Sequence, residues 1–247
     1  MIVLGFDTAT PATAVALRLA DGTTLRARDD PGTGERPGHT TRLLALASEL
    51  LGEAGLRWGA VQRIAVGVGP GTFTGLRVGV AMARGLAQSL GIDVVGISTL
   101  RVLAEAAFAE GGSQVMAGTV LAAIDARRGE AFVAAYALGE MSSAEAPPRA
   151  RELAGARALA PEALGALLAE AGTGRDWLAV GDGAIRFRAQ MEALGVAVPA
   201  EDSSLHRVDA GVLCELALAA PSDAIETVLP NYRRRPDAEI ALESAEP

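Results

Sequence analysis

The hydrophobic pattern of this chain begins twice, and few folds accommodate that. Ile2 to Asp7 reads as a buried strand, Ala12 to Leu19 as its partner, and Asp21-Gly22 as the turn into a third strand over Thr23 to Arg28. The opening returns where Thr119 to Asp125 reads as a strand ending in aspartate and Glu130 to Leu138 as its hairpin mate. An ungapped shift of 118 lays Asp7 on Asp125, Val15 on Val133 and Ala16 on Ala134. A strand, an aspartate, a turn and a strand at the start of each half favour an internal duplication.

Each opening is followed by alternating helices and strands. In the first half, Asp29 to Gly38 is a Gly/Pro-rich loop, and His39 to Ala54 carries Leu43, Ala47, Leu50 and Ala54 at helical spacing. Then come a strand (Ile64 to Val68), a helix (Leu76 to Leu90), a strand (Asp93 to Ile97) and a helix reaching about Glu110. In the second half, Met141 to Pro148 reads as a loop. Helices at Pro161 to Ala171 and Ala184 to Leu194 flank the strand Trp177 to Val180. A helix over Arg207 to Ala219 precedes a polar tail from Pro221. The expected division is residues 1–103 and 104–247, with helix 207–219 placed to pack back on the first part. This order matches an α/β fold of actin-like (ASKHA) architecture, two domains about a cleft. In that architecture the aspartate ending the first strand lies near metal and phosphates, the positions taken here by Asp7 and Asp125.

Composition narrows the chemistry. All 22 basic residues are arginine, which removes a phosphate-loop lysine, a Schiff base and a lysine general base. The two histidines, His39 and His206, form no metal-binding pair. His39 opens a helix and reads as a capping or solvent-facing residue, while Cys214 reads as core. A single cysteine excludes an internal disulfide and any cysteine metal cage. The net charge of −8 lacks the basic footprint of a protein that grips nucleic acid alone, the run Arg233-Arg234-Arg235 excepted. No apolar run approaches the ~18 residues of a membrane helix. The N-terminus has no basic region, so the expected compartment is the cytoplasm.

The segment Gly67 to Gly79 is the most informative stretch. A strand enters a Gly/Pro turn that opens a helix, where free N–H groups favour anions. Yet neither G-x-x-x-x-G-K nor G-x-G-x-x-G is present, so a structural turn and a vestigial phosphate or nucleotide site (Asp7, Gly69, Gly71, Thr72 and Asp125) both stand as readings. The helix behind it is apolar on two sides. Leu76, Ala83, Ala87 and Leu90 suit a sheet, and Val78, Ala81, Met82, Gly85 and Ser89 cover the other side with small or flexible side chains. Small residues admit a second helix closely. Leu44 and Leu51 lie at the edge of the wide apolar arc of the preceding helix. Cover from the other half of the chain is one reading, and a subunit interface is the favoured one.

Together these segments resemble the TsaB (YeaZ) family. The resemblance rests on Asp7-Thr8-Ala9-Thr10, His39-Thr40-Thr41-Arg42-Leu43-Leu44, the string from Gly69 to Gly79, Val95 to Leu100, Ile124 to Glu130, and Pro230-Asn231-Tyr232. One departure is Arg233, where the family usually has leucine. The resemblance implies two ribonuclease H-like domains and a non-catalytic dimerisation subunit for the paralogue TsaD, which transfers threonylcarbamoyl from its adenylate to N6 of adenosine 37 in tRNAs reading codons that begin with A. It implies TsaE as the partner ATPase, tRNA reached only through the complex, and a homodimer when TsaD is absent. It implies no cofactor held tightly by this chain alone, with ATP and Mg²⁺ entering at the level of the complex. A stand-alone actin-like ATPase or kinase and an M22-type metallopeptidase are the alternatives weighed against it.

Overall fold

The computed structural model describes residues 1–32, 34–110, 118–139, 150–172 and 176–233. The loop expected over Met141 to Pro148, and Arg234 and Arg235, lie outside them. The first half contains β1 (Val3–Asp7), β2 (Thr13–Arg18), β3 (Thr24–Asp29), α1 (His39–Glu53), β4 (Arg63–Gly69), α2 (Phe73–Leu90), β5 (Asp93–Ser98) and α3 (Thr99–Glu110). The second contains β6 (Thr119–Arg127), β7 (Glu130–Leu138), β8 (Ala150–Leu159), α4 (Leu164–Ala171), β9 (Trp177–Val180), α5 (Asp182–Arg186), α6 (Arg188–Ala193), β10 (Val196–Ala197) and α7 (Ala210–Ala219).

The strands form two five-stranded sheets, ordered β3-β2-β1-β4-β5 and β8-β7-β6-β9-β10. In both, an antiparallel meander is extended by two parallel strands, so the topology itself is duplicated. This is the actin-like α/β fold expected from the sequence. The expected hairpin alignment needs a correction. Leu4 and Phe6 face α1 and α2, and Leu121 and Ala123 take the matching outer face of the second sheet. Leu4 therefore corresponds to Leu121, and Asp7 to Ile124 rather than to Asp125. The second strands do match at a shift of 118, with Val15 and Val133 both outward. The second hairpin carries one additional residue, absorbed at the irregular register between Asp125 and Arg127. A one-residue slip moves a side chain to the opposite face, so the two aspartates do not face each other across a cleft.

Helices α1 and α2 cover the outside of the first sheet, and α4 to α6 cover the outside of the second. Between the sheets lie α3 and α7, each packed against strands of the other half. The expected division at 103/104 falls within α3. Helix α7 rests on β1 so closely that a Cβ at Gly5 would lie 2.7 Å from Cys214 Sγ and 2.9 Å from the Ala210 carbonyl oxygen. The buried Cys214 thiol reaches the carbonyls of Val3 and Ala16, and desolvation pushes its pKa up to about 12. Ion pairs Arg18–Glu215 and Arg26–Asp209, and the bond from Arg63 to the Ala217 carbonyl, surround this contact.

Two strands have no counterpart in the sequence reading. β8 is rich in Ala, Gly, Arg and Glu, residues of low strand propensity, and β10 is two residues long. The tail is not merely polar. Asp223 N–H donates to the Val94 carbonyl, Gly96 N–H donates to the Asp223 carboxylate, Val228 is buried, and Asn231 N–H donates to the Val68 carbonyl. The tail thus follows the β5 edge back to the start of α2. A Gly5→Ala substitution is expected to cost about 1–3 kcal/mol through overpacking, read as a lower urea midpoint; an unchanged midpoint would contradict the α7–β1 contact.

Candidate functional site

The turn between β4 and α2 is pressed against the turn between β1 and β2. Thr72 N–H donates to the Ala9 carbonyl at 2.7 Å, and the Thr8 hydroxyl donates to the Gly75 carbonyl at 2.7 Å. Four glycines at intervals of four line this contact. A Cβ on Gly67 would overlap the Asp7 carboxylate, on Gly71 the Ala9 carbonyl, on Gly75 the Thr8 carbonyl, and on Gly79 the Thr8 hydroxyl. Gly69 adopts φ +98, a conformation that favours glycine, and the Gly69–Pro70 bond is cis. The glycines therefore let this segment pack directly on the Asp7 and Thr8 side chains and on the Thr8 and Ala9 backbone.

Gly71 and Thr72 meet Ala9, and Gly69 lies under the Leu76 side chain. Asp7 is 1% exposed. Its Oδ1 accepts from Ala9 N–H and its Oδ2 from the Thr99 hydroxyl, each at 2.7 Å. Burial raises its pKa above the ordinary carboxylate value against the opposing effect of these bonds. Asp125 lies elsewhere, accepting from Arg127 N–H and pairing with Arg186 and Arg127, while its own N–H donates to Asp182. Among the described residues no three His, Cys, Asp or Glu side chains group to hold a metal ion. The residues present do not fit a magnesium-nucleotide site built by this chain alone.

The histidines are structural. His39 is 4% exposed and so neither meets solvent nor caps α1, whose N-cap is Gly38. Its Nδ1 bonds the Thr13 hydroxyl at 2.9 Å, its Nε2 is buried with no partner among the described residues, and burial lowers its pKa. Both ring nitrogens of His206 meet backbone carbonyls, those of Gly181 and Pro199.

The outer face of α2 remains open. Ala81, Gly85 and Ser89 are exposed, Val78 and Met82 are half-buried, and a Cβ on Gly85 would meet nothing within 4 Å. On α1, Leu44 is half-buried beside a small-residue crest of Thr41, Ser48 and Gly52. Leu51 requires correction: at 2% exposure it belongs to the core under α1 and is out of a partner's reach. The buried arc of α1 extends from His39 through Leu50 to Leu51, further round than its outer leucines suggest.

Sequence reasoning missed the clamp at the head of α2. Tyr232 stacks on Phe73 with ring centroids 5.1 Å apart, the Arg77 guanidinium lies 3.8 Å above the Phe73 ring, and Arg77 Nε donates to the Tyr232 hydroxyl at 3.0 Å. The signal was Pro230-Asn231-Tyr232, whose target 155 residues away no local pattern reveals. Between this strap and α2 opens a groove of about 630 Å³ lined by Arg77, Ala81, Arg84, Gly85, Gln88 and Tyr232.

Comparison with known proteins agrees with this geometry. A family model described as TsaD, tRNA N6-adenosine threonylcarbamoyltransferase, matches residues 35–242. A structure described as YeaZ from Pseudomonas aeruginosa is 31% identical, covers 94% of this chain and 100% of its own, and superposes with a TM-score of 0.73. The chain belongs to the TsaB (YeaZ) family. A second Pseudomonas aeruginosa structure, described as similar to peptidase YEAZ, is 32% identical over 94% of this chain and 99% of its own, with a TM-score of 0.75. The tRNA threonylcarbamoyladenosine biosynthesis protein TsaB of Escherichia coli is 40% identical over 136 residues, 55% of each chain. That of Haemophilus influenzae is 39% identical over 132 residues. The aligned region thus spans about half the length of these curated relatives. The family read from the sequence motifs is the family found.

Two substitutions separate packing from binding. Gly75→Ala, driven into the Thr8 backbone, should cost ~2 kcal/mol or more. Gly85→Ala, in open space in mid-helix, should stabilise the chain by about 1 kcal/mol. Thermal melts of the two variants check both signs. The raised pKa of Asp7 gives a third expectation. The folded state holds the Asp7 proton more tightly than the unfolded chain, so this group's contribution to stability falls as pH rises above 3.8. Asp7→Asn should keep the bond from Ala9, stabilise the fold near neutral pH and flatten its pH profile. Destabilisation confined to neutral pH would instead show that the fold needs the carboxylate charge.

Proposed function

We propose that this chain is the non-catalytic scaffold that docks the TsaD catalytic subunit for threonylcarbamoyl transfer to N6 of adenosine 37 in tRNAs reading ANN codons. The observation that carries the reading is the open face of α2. Ala81, Gly85 and Ser89 form a small-residue crest left exposed among the described residues, beside the similar crest of α1. Mid-helix glycine and serine are poor choices for an isolated helix, whereas a close helix–helix contact needs them. The commitment of Asp7 and the glycine turn to internal packing supports the non-catalytic part of the proposal. The names carried by the curated relatives support the pathway.

In this reading TsaD supplies the reacting centre, TsaE is the ATPase that lets the complex turn over, and tRNA is engaged through the complex in the cytoplasm. ATP and Mg²⁺ belong to the assembled complex rather than to this chain. Without TsaD, the same face takes a second copy. Ala81→Glu places a charge at the centre of the crest and should abolish co-purification with TsaD while leaving the fold intact. The assay is adenosine 37 modification with purified subunits. Activity is expected only when this chain and TsaD are present together with TsaE. Modification by this chain alone, or tight calorimetric binding of ATP with turnover by the isolated chain, would overturn the proposal in favour of a stand-alone enzyme.

A further inference from the structure

We infer that the docking surface on α2 is read by charge as well as by shape, and that its partner lays a carboxylate-bearing helix into the groove between α2 and the Tyr232 strap. This deepens the docking reading above and rests on it. Across its 18 residues α2 contains no Asp or Glu; its charged side chains are Arg77 and Arg84. At seven residues apart they lie on one stripe, separated by about 10 Å along the axis. Neither meets a carboxylate among the described residues. By contrast Arg18, Arg26, Arg42 and Arg63, which border the same sheet, each do.

Arg77 is positioned rather than neutralised. Phe73 lies beneath its guanidinium, and the Tyr232 hydroxyl accepts from Nε alone. The terminal N–H groups stay available for the fork geometry that suits a carboxylate. Arg84 stands two turns further along the groove, flanked by Ala81, Gly85 and Gln88. A helix that approaches closely over Ala81 and Gly85 must desolvate both guanidinium groups. Desolvating unpaired charge is costly, so the occupant has to bring opposite charge at about the spacing of two helical turns. The occupant assigned here is an acidic face of TsaD; the α2 helix of a second copy brings no carboxylate of its own, so TsaD is preferred where both are present.

The test measures binding of the full chain to purified TsaD from about 0.05 to about 0.5 M NaCl. Wild-type affinity should fall as salt rises. At low salt Arg84→Glu should weaken binding by about tenfold or more, Arg84→Gln by less, and the difference should shrink at high salt. Unchanged thermal melts would confirm that the variants fold. Binding that ignores both salt and Arg84→Glu, while Ala81→Glu still abolishes it, would overturn the charge match and leave the docking site standing. Failure of the wild-type chain to bind TsaD at any salt would overturn the docking reading itself. A self-dimer lost on Arg84→Glu, or tRNA binding by the isolated chain lost on that change, would assign the stripe to another occupant.

Discussion

The first half of the molecule depends on one close approach, the β4–α2 turn seated on Thr8 and Ala9. Thr72 N–H and the Thr8 hydroxyl make the two bonds across it, and the glycines at 67, 71, 75 and 79 remove the side chains that would hold the two turns apart. Because α2 starts from this seat, its Leu76, Val80, Ala83 and Ala87 face falls on the sheet and the Ala81–Gly85 crest is left facing outward. The same contact buries Asp7 and brings its Oδ2 to the Thr99 hydroxyl at the start of α3. A single packing requirement thus links the aspartate, the glycine string, the aim of α2 and the first turn of the helix between the sheets.

The same contacts engage the residues that a nucleotide-binding turn of this kind would offer. Where a phosphate would need free N–H groups and space, backbone carbonyls and methyl groups are already in contact. Both Asp7 carboxylate oxygens already accept internal hydrogen bonds, from Ala9 N–H and the Thr99 hydroxyl, and burial raises its pKa above the ordinary carboxylate value. The tail completes the arrangement from the other side: the strap anchors Tyr232 on Phe73 and Arg77, so both walls of the groove come from segments fixed independently of any partner.

Much of this was legible in the sequence, for physical reasons that differ from place to place. Long strands with clear turns, such as Val3–Asp7 and Glu130–Leu138, announce themselves by burial and punctuation. The duplication was legible too, but not its exact phase, because an ungapped alignment cannot see one residue absorbed at a bulge. β8 escaped because strand pairing can recruit Ala, Gly and Arg that show no propensity of their own. Leu51 was read at the edge of the apolar arc rather than within it because helical periodicity gives relative angles, not the rotation of the helix on its sheet. The Phe73–Arg77–Tyr232 clamp was illegible because its members are distant in sequence and meet only through tertiary structure.

Hydrogen exchange followed separately at residues 69–72 and 73–90 decides whether the glycine turn is a packing device and α2, not the turn, is the surface that meets a partner. Adding TsaD should slow exchange along 73–90, and adding ATP with Mg²⁺ to the isolated chain should change neither segment. Protection of residues 69–72 by ATP and Mg²⁺, with none along α2 on adding TsaD, would instead place the ligand at the turn.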